Sequence, residues 1–254
     1  MVCSDSDFFK ALMVNQVIQI RINDSMLLSV LAAGSLLTTG CVTAAETAAK
    51  PATAPVTRTI KAQVWADNWF ALYSGNTLIK EDSTPYKTEM SFNTEAFTFT
   101  TALPAQLSVI MKDYIENDTG LEYIGSRRQQ AGDGGFIAQF VDADTNEVLA
   151  VSNENWRCTA IHRAPLNLNE CERSSNPQQV CKSKIDPEPN NWKSPTFDSS
   201  NWPNAVVHSI REVQPHGEYS SYSWQSAAKF IWSSDLVVDN TVLCRFTIPA
   251  SGAK

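Results

Sequence analysis

Most of the chain after about residue 59 consists of short segments in which apolar and polar residues alternate. A period of two residues is typical of β-strands with one buried face, and turn residues separate the segments about every eight to twelve positions. We detect no long helical period, so we expect an all-β sandwich or barrel. The pattern predicts strands over residues 60–65, 69–73, 77–81, 97–101, 106–114, 136–142, 147–152, 229–232 and 240–249.

Two of the intervening segments contain tight-turn residues. Ser74-Gly75-Asn76 and Ala143-Asp144-Thr145-Asn146 each separate two predicted strands, which indicates hairpins. The second segment also resembles the start of a calcium-binding loop. However, Glu147 and Asn153 stand where an EF-hand requires Gly and Glu, so we predict a hairpin there.

The segment from Met26 to Cys41 resembles a bacterial lipoprotein signal. Its apolar part ends at Leu37 and is too short to cross a bilayer, and it closes on small residues followed by Cys41. The resemblance implies that Cys41 is lipidated and that the chain is anchored in the cell envelope, at the outer membrane or cell surface. Cleavage near Ala45 with secretion, or a helix that packs elsewhere, are the alternatives.

The domain organisation follows from these features. Residues 1–41 are predicted to be the signal and lipobox region, with translation starting at Met1, Met13 or Met26. Residues 42–58, rich in Ala, Thr and Pro, are predicted to be a flexible tether. Residues 59–250 are predicted to form a single domain, since a chain of 254 residues can bury a large core.

The overall charge argues against nucleic acid as a partner. The chain has 20 Lys and Arg against 27 Asp and Glu, a net charge of −7, and no basic block interrupts this balance. Nucleic acid is therefore not an expected partner. The expected partners, carbohydrate or anionic polysaccharide and the membrane through the lipid anchor, follow instead from the lipoprotein resemblance and from the candidate binding residues described below.

Four cysteines belong to the exported part of the chain, where an oxidising compartment favours disulfides. Three pairings are open. We favour Cys158–Cys244, which joins two predicted strands, and Cys171–Cys181, which closes a short loop. Zinc is not expected, because the three histidines are scattered and no paired Cys spacing occurs.

Several segments resemble the galactose-binding-domain-like β-sandwich. The resemblance implies a jelly-roll β-sandwich over residues 59–249, with the Pro- and Asn-rich residues 167–191 as a disulfide-stapled loop insertion. Such modules accompany many glycoside hydrolases. The sandwich of the protective-antigen sugar-binding type is a second, weaker resemblance. The segments that carry the first one are ADNWFALYSGNTLIKED (66–82), residues 107–117, SNENWRC (152–158), WKSPTFDSSNWPNA (192–205) and AAKFIW (227–232).

The residues expected to contact a ligand combine an aromatic ring with planar polar groups, as sugar recognition requires. They lie in two predicted loop regions and are Asp67, Asn68, Trp69, Tyr123, Arg127, Arg128, Gln130 and Asp133. Alternatives remain for each group. Trp69 fits core packing equally well, Asp67 and Asn68 fit a turn cap, and the Arg pair fits a salt bridge to Glu122 or Asp133.

Other aromatic and acidic residues have secondary interpretations. Trp156, Trp202 and Trp232 are predicted to be structural, because the resembled fold packs Trp residues against its sheets. Trp224, with Tyr219 and Tyr222, is a reserve binding site. The resemblance also implies a structural calcium ion, for which Asp113, Asn117 and Asp118 offer oxygen ligands. No other cofactor is expected.

Catalytic motifs are not evident in the sequence. It contains no G-x-S-x-G elbow, and Gly132-Asp133-Gly134-Gly135 opens a strand where a phosphate loop would open a helix. Glu116, Asp118 and Glu122 are the carboxylates that a glycosidase would use. We therefore predict a non-catalytic, extracytoplasmic carbohydrate-binding lipoprotein module. A polysaccharide-active glycoside hydrolase and a structural or protein-interaction envelope lipoprotein are the alternatives.

Overall fold

A computed structural model describes residues 55–88 and 90–251 of the chain. The predicted lipidation at Cys41, and the predicted tether up to residue 54, lie outside these described residues. The described part is a β-sandwich of two antiparallel sheets, as the alternating pattern predicts.

The strands divide into two large sheets and one small hairpin. The first sheet contains β1 (Val56–Asp67), β4 (Thr94–Leu103), β8 (Gly135–Asp142), β9 (Val148–Val151), β12 (Val206–His208) and β13 (Phe230–Trp232). The second sheet contains β2 (Trp69–Ser74), β3 (Thr77–Glu81), β5 (Ala105–Lys112), β10 (Arg157–Arg163), β11 (Lys184–Ile185) and β14 (Asp239–Ile248). The small hairpin pairs β6 (Leu121–Glu122) with β7 (Gln130–Ala131).

The chain crosses repeatedly between the two large sheets. The first sheet has the spatial order β12-β13-β8-β1-β4, with β9 also paired to β8, and the second has the order β11-β10-β14-β5-β2-β3. The chain changes sheet between β1 and β2, between β4 and β5, and between β9 and β10. Strand β1 begins at Val56, three residues before the predicted start of the domain.

The core lies between the sheets and is built from the inward-facing residues of both. In β10 buried and less buried positions alternate as a one-sided strand requires. Trp156 and Phe246 stack in this core with ring centroids 3.7 Å apart. Trp156, Trp202 and Trp232 are all buried, at 3%, 7% and 0% exposure, as predicted for structural tryptophans.

Both outer faces are partly covered by additional segments, so some strands are buried on both sides. On the second sheet, Trp192 and Trp202 pack against Ile110 and Leu243. This explains why β14 has nine buried positions out of ten. On the first sheet, Val213 and Phe230 join Trp65 and Ile137 in a separate cluster.

Both predicted disulfides are present. Cys158 and Cys244 are direct cross-strand neighbours on β10 and β14, with Cα atoms 4.1 Å apart. Cys171–Cys181 closes a loop that contains the helices α1 (Leu168–Cys171) and α2 (Pro177–Val180). The second bridge therefore staples the predicted insertion.

The predicted hairpins also form. Gly75 adopts a φ of 54° between β2 and β3, a left-handed conformation that glycine reaches without steric cost. At the turn between β8 and β9, Asp142 Oδ1 accepts hydrogen bonds from the backbone N–H groups of Asp144 and Thr145. Asp142 also pairs with Arg58 at 3.4 Å. The Asp142 carboxylate thus stabilises this turn.

Helices are few and short in the described residues. Beyond α1 and α2 there is α3 (Ile210–Val213), whose first turn is closed by a capping box between Ser209 and Glu212, and a single 3-10 turn (Gly217–Ser221). Within residues 55–88 and 90–251, none of the helices has the length and apolar character needed to span a membrane.

Candidate functional site

Five of the eight predicted ligand-binding residues meet at one cavity, which we call the carboxylate cavity. It has a volume of about 400 Å³ and opens to solvent beside the end of β1. Three further groups complete it: the loop before β4, the β6–β7 hairpin and the residues preceding the 3-10 turn. Its lining residues are Asp67, Asn68, Met90, Phe92, Glu122, Tyr123, Gln130, Asp133, His216 and Gly217.

Asp67 and Asn68 are held where the chain passes from the first sheet to the second. Asp67 is the last residue of β1 and pairs with Gly135 of β8. The Asn68 backbone N–H donates to the Lys112 carbonyl of the second sheet at 2.9 Å. The Asn68 side-chain oxygen accepts from the Tyr114 N–H at 2.5 Å, a contact with the segment after the second-sheet strand β5 and not with the turn between β1 and β2. Both residues are buried and fixed in position.

The β6–β7 hairpin supplies the opposite group of polar residues. Glu122 and Gln130 are directly paired in register, and the Gln130 amide lies 3.4 Å from Glu122 Oε2. Asp133 follows three residues later and is exposed at the rim. The hairpin therefore presents one amide and two carboxylates at the cavity.

Aromatic rings form the remaining walls. Phe92 and His216 pack together with ring centroids 5.4 Å apart. The Arg128 guanidinium lies 3.8 Å from the centre of the Tyr123 ring, which is a cation–π arrangement. The cavity thus combines ring surfaces with hydrogen-bonding groups, as a site for a hydroxylated ring compound requires.

Three carboxylates meet in the cavity, and none of its described lining residues is Lys or Arg. Burial raises the pKa of Asp67 well above its ordinary value, and the nearby Asp133 and Glu122 raise it further. Partial burial also raises the pKa of Asp133, while His216 opposes this shift. These shifts make protonation of Asp67 and Asp133 easier than in water, and a protonated carboxyl donates as well as accepts hydrogen bonds.

A fourth carboxylate, Asp113, lies beneath the cavity. It is 1% exposed, and neither of its oxygens makes a well-formed hydrogen bond to another of the described residues. The backbone N–H of Tyr114, which donates to Asn68, lies nearby and acts to lower the pKa of Asp113. A Cβ atom at Gly132 would lie 2.1 Å from Asp113 Oδ2, so only glycine leaves room for this carboxyl. Burial raises its pKa well above the ordinary value, and Asp67, Glu122 and Asp133 add to the effect.

Because the pKa of Asp113 is raised, replacing its carboxyl group by a neutral amide should stabilise the folded protein, by an amount that depends on pH. The folded chain binds this proton more tightly than the unfolded chain, so the destabilisation by Asp113 grows as the pH rises above the unfolded pKa of about 3.9. We expect Asp113→Asn to raise the thermal midpoint, and to raise it more at about pH 8 than at about pH 5. Asp144→Asn, at an exposed position, is the matched control. A lower midpoint for Asp113→Asn at both pH values would contradict the interpretation.

Three predicted contact residues do not line this cavity. Trp69 is half-buried on the second sheet, where it packs beside Tyr86, with the Lys112 ammonium 5.5 Å from its ring centre. The Arg128 guanidinium packs on the Tyr123 ring at the edge of the site, and Arg127 is exposed outside it.

The reserve site is divided between two surfaces. Tyr219 and Trp224 stack with centroids 5.7 Å apart and pack onto the Trp65 cluster of the first sheet. Tyr222 instead lines a separate groove beside Lys61. The three residues thus do not form one binding platform.

The predicted calcium ligands do not all lie together. Asp113 is buried beneath the carboxylate cavity, whereas Asn117 and Asp118 both line a different pocket, next to the Cys171–Cys181 bridge. Asn117 Oδ1 accepts hydrogen bonds from the backbone and side chain of Thr119. Over the residues that the structure describes, no group of three or more His, Cys, Asp and Glu side chains is placed to hold a metal ion.

Phe92, Met90 and His216 line the cavity but are not predicted from the sequence. They come from connecting segments far from β1 in the sequence, and no local motif marks them. Glu122 is predicted only as a glycosidase carboxylate or a salt-bridge partner. The buried Asp113, by contrast, has a sequence signal in Gly132, because a glycine without a turn role often marks a close approach by another group.

Comparisons with known proteins give no relative from which a function could be transferred. No protein-family profile, no curated protein and no solved structure matches the chain.

Proposed function

We propose that this protein is a non-catalytic, extracytoplasmic carbohydrate-binding module. Its sandwich is proposed to be of the galactose-binding-like class, and the chain is proposed to be anchored in the cell envelope through a lipid on Cys41. The observation that carries the proposal is the meeting of Asp67, Asn68, Tyr123, Gln130 and Asp133 at one cavity. The residue types in the sequence predict these five for sugar binding independently of their positions in the fold.

The chemistry of the cavity supports a polyhydroxylated ligand. Neighbouring carboxyl and amide groups such as Glu122 and Gln130 can engage adjacent hydroxyls, and protonated carboxyls extend this to donor and acceptor pairs. The rings of Tyr123 and Phe92 supply apolar surface for the C–H face of a pyranose. The volume of about 400 Å³ is within the usual size range of small-molecule sites.

A glycan-array screen with the full chain, followed by calorimetry on the best monosaccharide or oligosaccharide, tests the proposal. We expect Gln130→Ala and Asp133→Ala to weaken binding roughly tenfold to a hundredfold, because each removes a ligand hydrogen-bonding group at a solvent-accessible position. Gln179→Ala and Asp144→Ala are controls, since both residues are exposed and neither lines the carboxylate cavity. Repeating the titration with and without calcium separates a metal requirement from direct binding.

Three results would overturn the proposal. If the folded protein binds no glycan, carbohydrate binding is excluded, and the alternative of a structural or protein-interaction envelope lipoprotein is favoured. Equal affinity in the two cavity variants and the two controls would place the sugar elsewhere. Release of new reducing ends from a bound polysaccharide, lost in Asp67→Asn or Glu122→Gln, would identify a hydrolase.

A further inference from the structure

Two arginines lie directly opposite each other on neighbouring strands of the second sheet. Arg157 of β10 is in register with Arg245 of β14, one position before the Cys158–Cys244 bridge. Cross-strand partners share a face, and like charges in this relation are destabilising. No salt bridge to either guanidinium is present in the described part of the chain. The repulsion between them is therefore not offset by a side-chain carboxylate.

Arg245 is the more unusual of the two, because it is a buried cation. It is 2% exposed, and its Nη1 donates to the backbone carbonyls of Trp192 and Ser194. Its Nε has no hydrogen-bond partner among residues 55–88 and 90–251, the guanidinium lies 5.3 Å from the centre of the Phe197 ring, and burial lowers its pKa. On its other side the cross-strand neighbour is Ser108, whose neutral hydroxyl supplies no charge. Buried charges in proteins are normally paired, so this one lacks its usual counter-ion.

A cavity of about 360 Å³ is lined by both guanidinium-bearing residues, and we call it the arginine cavity. Arg157 is exposed and is positioned by a hydrogen bond from its Nη1 to the Trp202 carbonyl at 3.2 Å. None of the described residues that line the cavity is Asp or Glu. The remaining lining includes the planar amides of Gln106, Asn153 and Asn155 and the rings of Trp156 and Phe246.

We infer that the arginine cavity binds an acidic saccharide, a sugar that carries a carboxylate, sulfate or phosphate group. The anionic group lies between Arg157 and Arg245, where it offsets both charges and accepts hydrogen bonds in the plane of a guanidinium. The amides then face the sugar hydroxyls. This site is separate from the carboxylate cavity, and the inference does not depend on the function proposed there.

Calorimetric titration of the full chain with D-glucuronate tests the site, with D-glucose as the neutral, matched sugar. We expect glucuronate binding that weakens as the ionic strength rises, and that is at least about tenfold weaker in Arg157→Gln, because one charge-assisted hydrogen-bonding group is lost. Arg211→Gln is the control, since Arg211 is also exposed but lies on α3, away from this cavity. Glucose 6-sulfate and glucose 6-phosphate distinguish the three anionic groups.

Arg245 requires a variant that keeps its charge, because the side chain also supports the segment around Trp192. Arg245→Lys retains the cation but loses the planar fork, so we expect folded protein with weaker glucuronate binding. Far-UV circular dichroism and the thermal midpoint establish folding for every variant. If Arg245→Lys does not fold, the glucuronate affinity of Arg157→Gln alone tests the inference.

Any of three results would overturn the inference. The first is that the wild-type protein binds none of the three acidic sugars at millimolar concentration. The second is that Arg157→Gln binds glucuronate as tightly as the wild type, and the third is that Arg211→Gln loses as much affinity for glucuronate as Arg157→Gln. Glucose binding that is lost in Gln130→Ala but kept in Arg157→Gln would show that the carboxylate cavity works independently.

Discussion

Removal of the Cys158–Cys244 bridge by the double change Cys158→Ala and Cys244→Ala should lower the free energy of unfolding by about 4–5 kcal/mol. The bridge closes a loop across a sequence separation of 86 residues. Without the bridge the unfolded chain gains conformational entropy, and the loop-closure relation converts this gain into a loss of stability of about 4–5 kcal/mol. Both cysteines are also buried in the core, so the vacated sulfur positions add a packing cost. Equilibrium unfolding in denaturant, without reductant, measures the loss.

The second disulfide is an internal comparison for this experiment. Cys171–Cys181 spans a separation of only 10 residues, for which the same relation gives about 3 kcal/mol. The double change Cys171→Ala and Cys181→Ala should therefore cost less and leave the two sheets intact. An equal or larger loss from the short bridge would contradict the entropic account.

Trp156→Ala should lower the free energy of unfolding by about 3–5 kcal/mol, the range for truncation of a buried large aromatic residue. Trp156 is 3% exposed and stacks on Phe246 at an interplanar angle of 4°. Its indole N–H also donates to the Val151 carbonyl at 3.0 Å, and the alanine variant leaves that buried carbonyl without this donor. The residue therefore joins β9, β14 and the start of β10.

Trp156→Phe separates the two contributions of this side chain. It keeps an aromatic ring against Phe246 but cannot donate to Val151, so it should cost about 1–3 kcal/mol, less than the alanine variant. Denaturant unfolding of both variants against the wild type provides the comparison. A loss below about 1 kcal/mol for Trp156→Ala would show that the pocket collapses around the smaller side chain.

Most strands of the fold could be predicted from the sequence. In segments such as 60–65 and 136–142, the period-two pattern reflects local geometry, because successive side chains of a strand point to opposite faces. The pattern fails at β10 (Arg157–Arg163), because the buried His162 and the outward-facing Ile161 interrupt the apolar–polar alternation. It also fails where a strand is very short. The edge strands β11 (Lys184–Ile185) and β12 (Val206–His208) have two and three residues, too few to show a period.

The candidate site was predicted only in part, and Trp69 shows why. It is two residues from Asp67, so both were assigned to one loop cluster. The chain, however, leaves the first sheet after Asp67 and pairs with Lys112 of the second sheet from Asn68 onward. Residues adjacent in sequence therefore face different surfaces. Phe92 and His216 show the converse, since distant segments meet at the carboxylate cavity.

The sequence by itself determined the all-β class, the hairpins and the structural tryptophans, and it favoured the disulfide pairing that is present. These properties depend on short-range pattern and residue chemistry. Only the tertiary structure decided that Asp113 is buried beneath Asp67, and that Arg157 is in register with Arg245. The reason is physical: burial and cross-strand register arise from contacts between segments far apart in the chain, and no local pattern encodes which segments will meet.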